Sequence, residues 1–558
     1  MDPPEHGKTF DDALSHIGDW GPYQKRMLLF SFLACAGEGL QLITTIFTMG
    51  SRDFRCAVPG LANDTFSIQS EAHALLVNST VPWDADKGGY SQCSRYKHVV
   101  NESTGEKTNW LPGATESCSR WVFSSDVFRS SIVSELELVC DRKVYVSHAH
   151  MMSMAGLMAG SIVSGALSDL FGRKKTFLVF YWVHMCLAFV SVLATTIPTF
   201  LAIRFLMAAT GIAFYMSIYV LCAEIVLPPK RVLASMIASW GWVAGMIILL
   251  VMAYMFRYWK TLQLALSLLL VPGAFGFIWM IPESPRWLMN KGRYSEVQKI
   301  IVDIAKANKR EIPEKLILRD MYRPTLGEKS EIAECRDQST SGWRTLLSLA
   351  KSPVLAVRLA ILSFSWAVNS MVYYGLTLNV GSIIQGDIYT NFLILALLEG
   401  LSYLMVLLLT RCLGRRVFYC LFVFIGGGAC LATILPNVLS WDTVWPNVLL
   451  SNLGKFGISA AFGIIWLYTP ELLPTPARQS GIGLCSFVGR LGAMVSPYIA
   501  TLNDVLDGPV GESAPLLVFG AAAVAAGLLC LLLPETARRK LPETVEEAEN
   551  IKRLTVTT

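Results

Sequence analysis

Twelve stretches of this chain are long and apolar enough to cross a bilayer, and no other feature restricts its fold so tightly. In hydrocarbon every backbone N–H and C=O must be satisfied within its own segment, so each stretch has to be a helix. Windows of roughly 20 apolar residues fall near 27–49, 146–167, 176–197, 199–221, 232–254 and 261–281. A second set follows near 354–378, 389–410, 417–436, 446–469, 479–502 and 514–533. Hydrophobic residues make up 53% and charged residues 16%, with a mean hydropathy of +0.47, which excludes an ordinary soluble enzyme of this length. The expectation is an all-α membrane protein of twelve transmembrane helices in two six-helix halves. Its divisions are an N-terminal segment 1–26, a first half 27–281 with a large loop 50–145, a linker 282–353, a second half 354–534 and a tail 535–558. The polar start, "MDPPEHGKTFDDALSHIGDWGPYQKR", has no apolar h-region, so span one is expected to direct insertion.

The net charge of +5 matters less than its distribution. Arg173, Lys174 and Lys175 follow span two, Lys230 and Arg231 span four, Arg415 and Arg416 span eight, and Arg538 to Lys540 span twelve. The positive-inside rule makes these loops and both termini cytoplasmic. The loop 50–145 then faces outward, and it carries N-x-S/T acceptors at Asn63, Asn78 and Asn101, with none elsewhere. Cys56, Cys93, Cys118 and Cys140 in the same loop are an even set that reads as two disulfides, their pairing open. A multi-pass glycoprotein of the plasma membrane is the expected setting.

Several stretches recur at an offset of roughly 250 residues, as duplication of a six-span unit would produce. "GALSDLFGRKK" answers to "RCLGRR", Arg204 to Lys455, "AEIVLPPKR" to "PELLPTPAR", and "PESPRWL" to "LPETARR". Glu224 and Arg231 thus match Glu471 and Arg478, at helix ends where ion pairs can lock and release. This duplication resembles the major facilitator superfamily, and "GALSDLFGRKK" is similar to its cytoplasmic loop signature. The resemblance implies that Asp169 pairs with Arg173 to latch the outward-open state. Leu170 departs from the usual basic residue there, and Arg411 stands where the second copy would have its acid.

Further elements resemble the organic ion transporters, solute carrier family 22, across essentially the whole chain. They are "HIGDWGPYQ", the first loop ending in "SELELVCDRK", "IPESPRWLMNKGR", "MVYYGLTL", "LGKFGISAAFG" and "LPET". The fold so implied lines its central cavity with spans one, two, four, five, seven, eight, ten and eleven. Glu38, Glu399, Lys455 and Arg490 lie near the centres of such spans, and Arg204 nearer the outer end of span four. A charge at that depth is tolerated when it meets water, a partner or a substrate. The competing reading is mutual neutralisation, Arg490 with Glu399 or Glu38 and Lys455 with the other. Arg204 reads better as a structural bridge than as a substrate contact.

Family members that carry organic cations typically have an acid where this chain has Arg490. Anion exchangers resemble it at Arg490 but usually place a base where Tyr403 stands. "LLEGLSY", with Glu399 four residues before Tyr403, is similar to the carnitine and zwitterion branch, which also pairs a span-ten lysine with a span-eleven arginine. The resemblance therefore implies secondary or facilitative transport of a small organic zwitterion or anion, with organic anion exchange or organic cation transport as alternatives. Trp366, Asn369 and Tyr373 in span seven are expected to complete the site, aromatic faces serving a cation. No GxxxxGK[ST], HExxH or GxSxG occurs, so neither ATP-driven pumping nor an enzyme activity is expected. No cofactor is expected beyond coupled Na⁺ or H⁺, for which Glu38 is the candidate. The expected partners are the substrate and the lipid bilayer, not nucleic acid, and a monomer is one reading of the assembly. A transport-dead receptor or scaffold is the reading from another class.

Overall fold

The computed structural model describes residues 10–50, 52–84, 88–100, 107–227, 230–311, 352–383, 386–410, 412–439, 443, 445–474, 477–506, 508–537, 542 and 545–549. Asn101, Arg411, Arg538 to Lys540 and most of the linker fall outside the described residues. Among the described residues, twelve helices are long and apolar enough to cross a membrane. The first half holds α1 (Pro22–Ile43), α2 (Val144–Phe171), α3 (Arg173–Val190), α4 (Ile197–Glu224), α5 (Arg231–Met255) and α6 (Trp259–Met280). The second holds α7 (Pro353–Leu378), α8 (Ile388–Leu409), α9 (Arg415–Ala432), α10 (Trp445–Leu472), α11 (Arg478–Ala500) and α12 (Gly508–Cys530). Start signals follow local chemistry. Ser352 caps α7 ahead of Pro353, and Asp387 caps α8 by accepting from the Thr390 N–H.

Helices in lipid gain nothing from exchanging one apolar neighbour for another, so they associate where small residues allow close approach. A Cβ on Gly241 or Gly245 of α5 would run into the Phe32 or Ala36 carbonyl of α1. On α11, a Cβ on Gly492 would likewise run into the Ala367 carbonyl of α7. The halves meet along α2 with α11 and α5 with α8.

At the end of the bundle that bears the large loop, the seam is closed. Ser147 Oγ donates to the Pro497 carbonyl at 3.4 Å, and His148 Nδ1 shares a 2.7 Å hydrogen bond with the Tyr498 hydroxyl. Phe47 at the end of the first span stacks on Tyr389 at 5.8 Å and meets Phe392 edge-on at 5.1 Å.

The loop adds structure that an all-α expectation leaves out: three antiparallel strand pairs. Phe54–Cys56 pairs with Trp121–Phe123, Trp83–Asp84 with Gly89–Tyr90, and Ser94–Val100 with Lys107–Ser117. The disulfides are Cys56–Cys118 and Cys93–Cys140, closing loops of 62 and 47 residues. Closures of that length are worth about 4 kcal/mol each by chain entropy. The loop has its own polar core. Arg55 places both terminal nitrogens on Asp64, at 2.6 and 3.2 Å, and His73 Nε2 reaches the same carboxylate at 3.0 Å. Asn63 and Asn78 are exposed, Asn78 accepting a 2.6 Å hydrogen bond from Tyr90.

Burial alone would raise the Asp64 carboxyl, but hydrogen bonds from Arg55, the Val58 N–H and His73 outweigh it and hold it below the usual range. A depressed folded-state value stabilises above the unfolded value of about 4 and ceases to do so as pH falls through the folded one. Asp64→Asn should therefore cost about 1–3 kcal/mol of loop stability at neutral pH, by leaving buried Arg55 unpaired. Limited proteolysis of the loop should show faster cleavage of the variant at pH 7, with parent and variant converging as pH drops below about 4.

Candidate functional site

Four spans of the second half bring charges and aromatics to one place. Trp366, Asn369, Tyr373 and Thr377 recur along α7 at three- and four-residue spacing, the helical repeat that stacks side chains. Glu399 and Tyr403 do the same on α8 and Ser486 and Arg490 on α11, while Lys455 and Phe462 lie two turns apart on α10.

Glu399 and Lys455 find each other. Lys455 Nζ lies 3.4 Å from Glu399 Oε2, and neither side chain has exposed surface. Such a pair survives burial only when its remaining bonding capacity is met. The Tyr373 hydroxyl donates to Glu399 Oε1, and the Tyr403 hydroxyl donates to the same oxygen at 3.1 Å. Lys455 Nζ donates to Thr377 Oγ1 at 2.6 Å and stands 3.2 Å from the centroid of the Tyr373 ring. Phe462 stacks on Tyr373 with ring centroids 5.3 Å apart and meets Trp366 edge-on at 6.0 Å. Trp366 donates its indole N–H to Thr469 at 2.9 Å.

Arg490 is different. Its Nη1 donates to Ser486 one turn back on the same helix at 2.8 Å, and its Nε has no partner. Among the described residues it forms no ion pair, although the side chain is half-buried. Tyr374 stands within electrostatic reach of Arg490, Glu38 and Glu399 alike. Of the two neutralisation schemes expected from sequence, the one that pairs Lys455 with Glu399 is seen for that pair, while Arg490 forms no ion pair with Glu38 among the described residues.

Glu38 sits on α1 against Gly211 of α4, where a Cβ would overlap its carboxylate. It is 2% exposed and its Oε2 accepts no hydrogen bond. Arg204 is its electrostatic neighbour but donates to the Leu42 carbonyl at 3.2 Å. Asn369 is turned to α9, donating to the Tyr419 hydroxyl at 2.7 Å and to the Ser365 carbonyl at 2.8 Å. Thr377 and Phe462 escape the sequence reading; their signal is spacing, one turn beyond Tyr373 and two beyond Lys455.

Away from the loop, each half ends in a charge cluster. Arg173 bridges Asp169 at 2.8 Å and Glu224 at 3.5 Å, and Glu283 accepts from the Lys174 N–H at 3.0 Å. The second half repeats this with Arg415 on Glu471 at 3.3 Å and Glu535 accepting from the Arg415 and Arg416 N–H groups at 2.7 and 3.1 Å. A carboxylate at a helix N-terminus satisfies free N–H groups and complements the dipole. Gly172 makes the first of these turns with φ 102°, and a Cβ there would collide with Glu283. Arg478 donates to the Pro470 carbonyl at 2.9 Å, and Arg231 begins α5 beside Glu224 in sequence.

Residues 90–548 match the family described as sugar (and other) transporter. A Drosophila melanogaster protein named organic cation transporter protein is 30% identical over 97% of this chain and 94% of its own. Mouse solute carrier family 22 member 4 is 30% identical over 98% and 95%. Human organic cation/carnitine transporter 2 is 29% identical over the same shares. Among solved structures, the xylose transporter XylE from E. coli in a partially occluded inward-open conformation aligns with a TM-score of 0.58 at 13% identity, covering 93% of this chain and all of that one.

Proposed function

Since the chain belongs to the sugar (and other) transporter family, and within it to the solute carrier 22 organic ion transporters, we propose that it carries small organic anions or zwitterions, bound through a carboxylate on Arg490. It is a multi-pass membrane transporter of the major facilitator type and not an enzyme. The observation that carries the substrate reading is the difference between its two cationic centres. Lys455 is already matched by Glu399, whereas Arg490 has no acid and an idle Nε. A planar guanidinium with free donors suits a carboxylate, which it can engage by two parallel bonds. Relatives named for carnitine, itself a zwitterion, support the same class. The unbonded Glu38 carboxylate favours a zwitterion over a simple anion, since it offers the opposite charge on the facing half. The ion pairs at Arg173 and Arg415 each join helices within one half, so their proposed part is to keep each half rigid as the two rock.

Arg490→Ala should reduce uptake of such substrates to background while surface abundance is kept, and Arg490→Lys should restore only part of it, because an ammonium cannot form the planar fork. Normal uptake by the alanine variant, measured per surface molecule, would sink the role given to Arg490.

Glu38 is the group proposed to couple a proton or sodium ion to transport, on the strength of its buried, unbonded oxygen. Glu38→Gln should flatten a pH or sodium dependence that the parent shows. Unaltered uptake with unaltered pH and sodium profiles would reduce Glu38 to a structural residue.

The proposed setting is the plasma membrane, with both termini in the cytoplasm and the loop outside. Exposed Asn63 and Asn78 fit that side. Glycosidase treatment of surface protein should shift its mobility, and the shift should vanish when Asn63, Asn78 and Asn101 are all changed to Gln. A shift that survives the triple change overturns the assignment.

A further inference from the structure

A short piece of the large loop, residues 126–130, lies in the closed seam between the two halves. On the first-half side its backbone is pinned to the turn between α5 and α6. The Arg129 and Ser130 N–H groups donate to the Arg257 carbonyl at 3.0 and 3.4 Å, and the Trp259 N–H donates to the Ser130 carbonyl at 3.3 Å. Arg257 Nη1 donates to the Asp126 carbonyl at 3.2 Å. On the second-half side the segment meets Tyr389 of α8, whose hydroxyl donates to the Val127 carbonyl at 3.4 Å and whose ring lies 6.4 Å from that of Phe128. We propose that residues 126–130 are the fixed jaw of the outer gate: the segment stays with the first half, and the gate opens when Tyr389 withdraws from Val127 and Phe128.

The two attachments differ in kind. Four hydrogen bonds to main-chain carbonyls, backed by the Glu135 clamp on Trp259 and Lys260, hold the segment to the first half. One long hydrogen bond and a tilted ring pair hold it to the second. When the halves rock apart at this end, the weaker attachment is the one that parts. Phe128 is also built in from below. It is 4% exposed, and a Cβ on Gly50 would come within 2.5 Å of its ring, so its position depends on a glycine that leaves it room. The Tyr389 ring thus enters a socket of three first-half rings: Phe47 stacked at 5.8 Å, Tyr254 edge-on at 5.6 Å, and Phe128 supplied by the loop. Contacts of this kind are lost outright on separation, so Phe128 sets how often the gate stands open.

The test reads opening directly and needs no substrate. Met494 of α11 packs beneath the seam in the same apolar cluster as Phe47, Phe128 and Phe392. In the full chain at the cell surface, Met494→Cys is labelled from outside with membrane-impermeant methanethiosulfonate-ethyltrimethylammonium, after subtraction of the rate with Met494 intact. Phe128→Ala should speed this labelling about two- to tenfold, the range of one aromatic pair. Adding Phe128→Ala to Tyr389→Ala should bring no further gain. Unchanged labelling in Phe128→Ala, or an equal gain in the Tyr389→Ala background, overturns the gate role. If Phe128→Ala fails to reach the surface, Phe128→Leu keeps the bulk over Gly50 and is judged by the same two outcomes. Hydrogen exchange then tests whether the jaw is fixed. In Tyr389→Ala the amides of Arg129, Ser130 and Trp259 should keep the protection of the parent, and faster exchange there overturns it. The proposal rests on the loop facing outward, which the glycosidase shift tests separately, and it stands or falls apart from the role of Arg490.

Discussion

A charge in a medium of low dielectric has to be compensated, and the centre of this protein is arranged around which charges are and which are not. Glu399 and Lys455 lie at ion-pair distance with two phenols and a threonine hydroxyl meeting their remaining needs. Glu38 on α1 and Arg204 on α4 form no ion pair among the described residues; one carboxylate oxygen of Glu38 is left unbonded and Arg204 bonds the Leu42 carbonyl instead. Arg490 forms no ion pair among the described residues and bonds only Ser486 of its own helix. A bare guanidinium at that depth is expensive, and water or a ligand must stand in for the missing partner.

Much of this architecture was legible in the sequence because membrane physics leaves few choices. The apolar windows located all twelve helices to within a few residues, and the internal repeat fixed the six-plus-six arrangement. Lys455, Arg490, Glu38 and Glu399 stood out for the same reason: charge is rare in such windows. Their pairing was not legible, because it depends on which faces of α7, α8, α10 and α11 meet, and helical period alone does not set the rotation of one helix against another. Asn369 illustrates the difficulty, lying on the same helix as Tyr373 yet turned to Tyr419 of α9. The pairing of the four loop cysteines was hidden likewise, as it depends on strands too short and irregular to carry a periodic signal.

The loop between the first two spans belongs to the closed seam as well as to the surface. Phe128 packs on Phe47 and Tyr389, and the Val127 carbonyl accepts from the Tyr389 hydroxyl at 3.4 Å, so a residue of α8 in the second half touches the loop of the first. Farther along, Glu135 accepts from the Trp259 indole at 2.7 Å and from Lys260 at 2.5 Å, clamping the loop to the start of α6. Two disulfides and the Arg55–Asp64–His73 core hold the intervening chain firm. Any movement that separates Phe47 from Tyr389 must therefore also strip Tyr389 from the loop, and the loop adds to the stability of the closed state.

Duplication and divergence divide the labour between scaffold and centre. The parts that repeat are those that backbone geometry demands: glycines where α5 crosses α1 and α11 crosses α7, and a carboxylate capping the third helix of each half beside a glycine with no room for a Cβ. These contacts are the same wherever two such helices must meet, so both copies keep them. The polar centres obey no such demand. In the first half an acid on α1 sits against a glycine and an arginine bonds a carbonyl; in the second a lysine at the position matching that arginine pairs with Glu399 over the Tyr373 ring. Equal halves packed face to face would give a cavity of matched charge on both walls. Their divergence leaves Glu38 with an unbonded oxygen in the first half and Arg490 with an unbonded Nε and no ion pair among the described residues in the second.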